Sequence, residues 1–432
     1  MARAKAEVSE SAAGRLGAAG GIPAGAIAAP REREWRYIAG VADVLAVDTP
    51  PLAELIERNA GLKRDLIDFA SSPRFSRHLS QLMLEAAGPG GTVDEGLAIA
   101  TVDHFASQHR LPDGKTVLDK FLAARRDLST ADRAMLSGWR DPVEGFFENL
   151  RVDGDAAILL NLFDDLEYRV YSNMGPAILR RLPKGGFIFS KIVPVHPAVP
   201  GAWLISGMMR IFRKSDGPRI ASIALSLAAE QPQLVFRNPE KITQGWEMMR
   251  AQRAAFVEFF GTDELVLPPA EARTRISAYY RHYQDSLSAK SRRRASKDAD
   301  AGVFDLHLDE AEADTLGIIF DKTDGLNFYL EYGMMRELFA DPELASDKRY
   351  ADVLREYLNS DTVAPLPLHR VAAAYPHTVD AVYRKVLRKP SFTWADHGEA
   401  LLRRRKPWYY EREPRPSISV IGNRLAELAA RG

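Results

Sequence analysis

The sequence predicts an α+β protein, mainly helical, with a small antiparallel β-barrel at its centre and a hairpin-plus-helices unit towards its C-terminus. Three observations predict this. On both sides of residues 143–215 apolar residues recur at helical spacing, as in Leu52, Leu55, Ile56, Leu62, Leu66 and Ile67. Between 145 and 212 short apolar runs alternate with tight turns instead, and in LEYRVYS the period falls to two. Further on, TLGIIF and GLNFYLE flank DKTDG, whose Asp-Gly step suits a hairpin turn.

Residues 1–30, MARAKAEVSESAAGRLGAAGGIPAGAIAAP, predict a disordered Ala/Gly-rich tail. A signal peptide needs an unbroken apolar stretch of roughly 7–15 residues, and Glu7, Glu10, Arg15 and repeated glycines interrupt any such run. Residues 31–142 predict a helical domain whose order begins near Trp35. Pro50 and Pro51 suit a helix start, GPGG at 88–91 a stop, and Ser129 or Thr130 an N-cap.

Residues 143–215 predict the barrel, of SH3-like or OB-like kind. FFENLRV, AAILLNLF and LEYRVYS form three strands folded back on each other, followed by GGFIFSKIVPV and AWLISGMMRIF. Closing the sheet would remove the exposed edges that an open one must protect. Residues 216–289 return to helical periodicity and are expected to pack on the barrel or the N-terminal domain. Residues 290–302, KSRRRASKDADAG, are charged and lack large apolar side chains, as a linker would. Residues 303–432 predict a C-terminal α+β domain. It holds the DKTDG hairpin and then helices such as DKRYADVLREYL, where Tyr350, Val353, Leu354, Tyr357 and Leu358 make one stripe.

Composition narrows the function classes. The 432 residues are 46% hydrophobic, and 58 basic side chains balance 58 acidic ones. A neutral chain does not grip nucleic acid over its whole surface, although local patches can. There is no cysteine, so thiolate nucleophiles, disulfides and Cys-ligated metals are excluded. No uncharged apolar run approaches the roughly 18 residues of a membrane span. The expectation is a soluble cytoplasmic protein without membrane partners.

Catalytic motifs are weak. Gly114-Lys115-Thr116 resembles the end of a phosphate-binding loop, but His109 stands where the loop requires its first glycine. Asp103–His104 and Asp396–His397 are sequence neighbours, which point in different directions on a helix. Asp321 and Asp324 could hold a hard cation through oxygen, or simply build the hairpin turn. No metal site and no cofactor follow from the sequence.

The most suggestive surface is Arg403, Arg404, Arg405 and Lys406 running into Trp408, Tyr409 and Tyr410. Cations beside aromatic rings suit single-stranded nucleic acid, where charge follows the backbone and rings stack on bases. Glu411 and Glu413 interrupt the patch, and basic residues at a helix C-terminus also suit its dipole. The first expectation is therefore a binding or regulatory protein whose partner is single-stranded nucleic acid. The alternatives are a hydrolase or metal-dependent enzyme with a dispersed site drawn from Asp321, Asp324, His369 and His307, and a scaffold that meets another protein. For the scaffold, Tyr171, Lys191 and Arg210 would mark the exposed barrel face.

Overall fold

The computed structural model describes residues 50–88, 91–286 and 313–431. The N-terminal tail, the helix expected from Trp35, the 290–302 linker and His307 lie outside the described residues.

Two compact units divide the chain. The first takes residues up to Asn238 and then Ile421–Gly432; the second is Pro239–Val420. The expected boundaries at 142/143 and 215/216 thus fall inside the first unit. The 216–289 segment is split between the two units, and the residues from Ile421 onward join the first.

The first unit opens with helices α1 (Leu52–Ala70), α2 (Ser76–Ala87), α3 (Glu95–Ser107), α4 (Val117–Ala124) and α5 (Thr130–Gly138). Their starts are written locally. The Asp94 side chain accepts the amide of Leu97, while Thr116 and Ser129 each form a reciprocal capping box with the acid three residues on.

Strands β1 (Val143–Asp153), β2 (Ala156–Asn161) and β3 (Glu167–Tyr171) follow, then a short helix α6 (Pro176–Arg180), β4 (Phe187–Pro194) and β5 (Ala202–Phe212). β1 pairs with β2 and β4, β2 with β3, and β4 with β5, all antiparallel. β3 and β5 pair in parallel, so the order β1-β2-β3-β5-β4 closes on itself. The parallel pair corrects the expected wholly antiparallel sheet. After β3 the chain crosses through α6 before laying down β4, and β5 then returns along the free edge of β3, with Arg169 opposite Ala202.

Adjacent residues on each strand face different cores, as a pleat requires. Val143, Phe147, Leu159, Val170, Ile188 and Ile192 fill the inside of the closed sheet. Val193 and Leu204 point outward, into a core made with Leu62, Leu66, Phe105, Leu136 and Trp139 of the helical layer. A third core places Phe146 and Phe187 against α7 (Gly217–Glu230) and the final helix.

The second unit contains α8 (Pro239–Phe260), β6 (Glu264–Leu267), α9 (Pro269–Ser286), β7 (Leu316–Asp321) and β8 (Gly325–Leu330). It continues with α10 (Tyr332–Ala340), α11 (Lys348–Asn359), α12 (Leu366–Ala374), α13 (Val379–Leu387), α14 (Trp394–Arg405) and α15 (Pro407–Glu411). The expected hairpin is β7–β8. The sheet also takes β6 on its other edge, from ELVL, a run too short to stand out in the sequence. Ile318 and Phe320 face α8 and α9, whereas Ile319 faces α10–α14. The final helix α16 (Asn423–Ala429) belongs to the first unit: the Asp165 carboxylate accepts the Asn423 amide at 2.9 Å, and Arg424 pairs with Glu148 at 2.5 Å. Among the described residues no helix is long and apolar enough to cross a membrane. The class is α+β, as expected.

Candidate functional site

The strongest concentration of chemistry lies on the outer face of the closed sheet, beneath α1 and α3. Three strands present one cross-strand row there: Glu144 of β1 lies opposite Lys191 of β4, which lies opposite Ser206 of β5. Directly opposed residues share a face of the sheet. Helix α3 sets Asp103 above the row and α1 brings in Lys63.

The close approach of α3 depends on two glycines. A Cβ at Gly96 would stand 2.6 Å from Met208 Sδ, and one at Gly207 would stand 3.3 Å from Asp103 Cγ. Gly207 has φ +75, in the left-handed region that favours glycine. It sits in a bulge, since the register jumps from Ser190–Met209 to Lys191–Ser206 and leaves Gly207 and Met208 without partners on β4. Bulges re-aim side chains and recur beside active sites.

The cluster is tightly interconnected. Lys63 and Lys191 pair with different oxygens of the one Asp103 carboxylate. Lys63 Nζ donates to Ser206 Oγ at 3.1 Å, and Ser206 Oγ donates to Asp103 Oδ1 at 3.1 Å. Lys191 Nζ also donates to Gln108 Oε1 at 3.3 Å, and Lys63 Nζ lies 5.5 Å from the Trp139 ring centroid. The Asp103 and Lys191 side chains are only 3% and 9% exposed, so water screens the cluster little.

Two lysines crowd the one buried carboxylate of Asp103, with Glu144 opposite Lys191, and the protonation equilibria respond. Burial pushes Lys63 down to about 8. Lys191 is driven well below the ordinary lysine range, by burial first and by the charge of Lys63 second. Burial raises Glu144, the row partner of Lys191, to about 7. Groups moved towards neutrality in a cleft are a mark of functional sites.

Two cavities meet at Ser206, Gly207 and Met208. The larger, about 480 Å³, is lined by polar Asn59, Lys63, Ser172, Asn173 and Ser206 and by apolar residues that include Trp139, Met174, Ile178, Ile205 and Met209. Its lining residues Met174 and Ile99, 76% and 46% exposed, mark the solvent side. The buried indole N–H of Trp139 has no hydrogen-bond partner among the described residues. The smaller cavity, about 20 Å³, lies among Asp103, Glu144, Lys191 and Ser206.

The residues singled out from the sequence are placed elsewhere or differently. Arg403, Arg404 and Arg405 are exposed on the last turn of α14. Lys406 is fully buried, with Nζ donating to the Ser360 carbonyl at 2.9 Å, so it adds no surface charge. Tyr409 and Arg412 both hold Asp324, and Arg412 stacks 4.2 Å from the Tyr409 ring centroid. Arg403 pairs with Glu399 at 2.8 Å and covers the ring of Tyr410, which is half-buried like Trp408.

Asp321 accepts the amides of Thr323 and Asp324, the chemistry of a hairpin turn. His369 lies 3.7 Å from Glu399. Among the described residues no group of three or more His, Asp or Glu is arranged to hold a metal. Tyr171 and Lys191 are buried and Arg210 is half-buried, so these three do not form an exposed face. No family model, no curated protein and no solved structure matches the chain.

Proposed function

We propose that the first unit is a ligand-binding module: a small barrel that takes a small organic acid on its outer face, under α1 and α3. The acid group meets Lys63 and Ser206, and an apolar body lies along Trp139, Met174, Val193 and Leu204. One observation carries this reading: half-buried Lys63, paired with the buried Asp103 carboxylate and donating to Ser206, lines a cavity of about 480 Å³ together with Ser206. That volume falls within the range of roughly 300–1,000 Å³ of small-molecule sites. An anionic ligand gives the Lys63 ammonium a second partner beside Asp103. Its charge also raises the Lys63 pKa, so above pH 8 binding takes up a proton.

The test is calorimetric titration of the full chain with octanoate, and with octanol as its uncharged counterpart. The expected result is octanoate binding, proton uptake above pH 8 seen as a buffer-dependent heat, and weaker binding of octanol. Lys63→Met should weaken octanoate by ~10-fold or more, the scale of a lost charge-assisted hydrogen bond. Equal binding of octanoate and octanol, or by wild type and K63M, would overturn the reading.

A second reading keeps single-stranded nucleic acid as a partner of Arg403, Arg404 and Arg405, favoured by their joint exposure at the end of α14. It requires retention of a single-stranded oligonucleotide at low salt that falls as salt rises. Absence of retention at about 50 mM salt would remove it.

A further inference from the structure

We infer that Ser206 is a nucleophile, with Lys63 as its general base, and that the first unit hydrolyses esters of the small acids it binds. The inference rests on the ligand-binding reading above and adds chemistry to it. A serine becomes nucleophilic when a base lies within hydrogen-bond reach and a third group holds that base. Here Ser206 Oγ is 3.1 Å from Lys63 Nζ, and Asp103 holds Lys63; in the resting arrangement Lys63 donates to Ser206 and Ser206 to Asp103, so once Lys63 loses a proton the hydroxyl must turn its own towards the neutral amine. Lys191 grips the other oxygen of Asp103 and so fixes the carboxylate. Asp103 and Lys191 are positioning residues; Ser206 and Lys63 face the substrate cavity. A lysine pKa of about 8 makes the neutral amine accessible under mildly alkaline conditions.

The steps balance as follows. Neutral Lys63 takes the proton of Ser206 as Oγ attacks the ester carbonyl carbon, and the carbonyl π pair moves onto oxygen. The inference requires the amides of Gly207 and Met208, the two residues after the nucleophile and outside the β4–β5 register, to serve as donors to that oxyanion. Collapse of the intermediate breaks the bond to the alkoxy oxygen, and the Lys63 ammonium gives its proton to the leaving alcohol. Water then attacks the acyl-serine, Lys63 takes the water's proton, the acid departs and Oγ is reprotonated. The net reaction is ester plus water to acid plus alcohol. The small cavity of about 20 Å³ on the other side of Ser206 has room for a water.

The full chain is treated with p-nitrophenyl octanoate and, separately, with a fluorophosphonate. The inference expects a burst of p-nitrophenolate, one fluorophosphonate per chain located on Ser206 by peptide mass spectrometry, and a rate that rises with pH through about 8. Ser206→Ala should lose both reactions. Lys63→Arg keeps the charge but cannot release its proton in this range, so the rate should fall by ~100-fold or more and its rise with pH through about 8 should disappear.

Wild type that is neither acylated nor labelled, labelling at another residue, or S206A turning over as fast as wild type would each overturn the inference. Octanoate titration separates the two readings. If S206A and wild type bind octanoate but wild type is not acylated, catalysis alone falls. If neither binds octanoate and wild type is not acylated, both fall. If S206A does not give a cooperative melt, Ser206→Cys carries the test, because it should exchange fluorophosphonate labelling for iodoacetamide labelling.

Discussion

Two charge-rich regions invite comparison. In the second unit, 403–412 gathers cations and rings in one contiguous stretch, yet much of it is satisfied internally: Lys406 by Ser360, Arg403 by Glu399, Tyr409 and Arg412 by Asp324. In the first unit, Lys63, Asp103, Lys191 and Ser206 are scattered along the chain, but they meet beside a cavity, where burial pushes both lysines towards neutrality. What separates the regions is charge balance under burial, not local abundance of charge. A cluster whose charges are all paired stabilises the fold, whereas one held near neutrality beside a cavity is a place for chemistry.

The largest expected effect that sharpens this contrast is on stability. Asp103→Asn removes the carboxylate that buried Lys191 and half-buried Lys63 both pair with, and should destabilise the first unit by about 3–5 kcal/mol. Asp324→Asn leaves Tyr409 an acceptor and frees Arg412 towards solvent, so the second unit should lose only about 1 kcal/mol. Urea unfolding of the two variants measures both, and equal losses would break the comparison.

Next comes pH. The folded Glu144 pKa of about 7 lies above its ordinary value of 4.5, so the fold favours the neutral acid. The contribution is fully present below pH 4.5 and is lost as pH rises through about 7. Glu144→Gln cannot ionise, so it should flatten the decline in stability over that window, as read from thermal melts in a pH series. An unchanged slope would show that burial does not hold Glu144 in its neutral form.

Smaller still, Tyr409→Phe removes one donor to Asp324 and should lower second-unit stability by about 1 kcal/mol in denaturant titrations. Arg404→Ala, at an exposed position, should stay within about 0.5 kcal/mol by the same measurement.

Much of the fold was legible in the sequence. LEYRVYS shows its strand by strict alternation, and Asp153-Gly154-Asp155 and DKTDG mark where strands reverse. The parallel β3–β5 pair was not legible, because which edges meet is settled by the path of the chain through α6. The site was the least visible part. Lys63 and Asp103 lie 40 residues apart, and Asp103 and Ser206 lie 103 apart. A faint signal existed: Lys191 interrupts the apolar FIFSKIVPV, and Asp103 interrupts the apolar face of GLAIATVDHFA. A charge lodged where its neighbours are all buried asks for a partner, but the sequence does not say which.

The return of α16 to the first unit has a consequence for biosynthesis. Leu425 and Leu428 cover Ile220 and Phe146, and Asp165 receives the start of α16. The second unit is therefore inserted within the first, and its whole length must be synthesised before the first unit can be sealed. A nascent chain halted before Ile421 would present that apolar face bare, as a ready target for chaperones during translation.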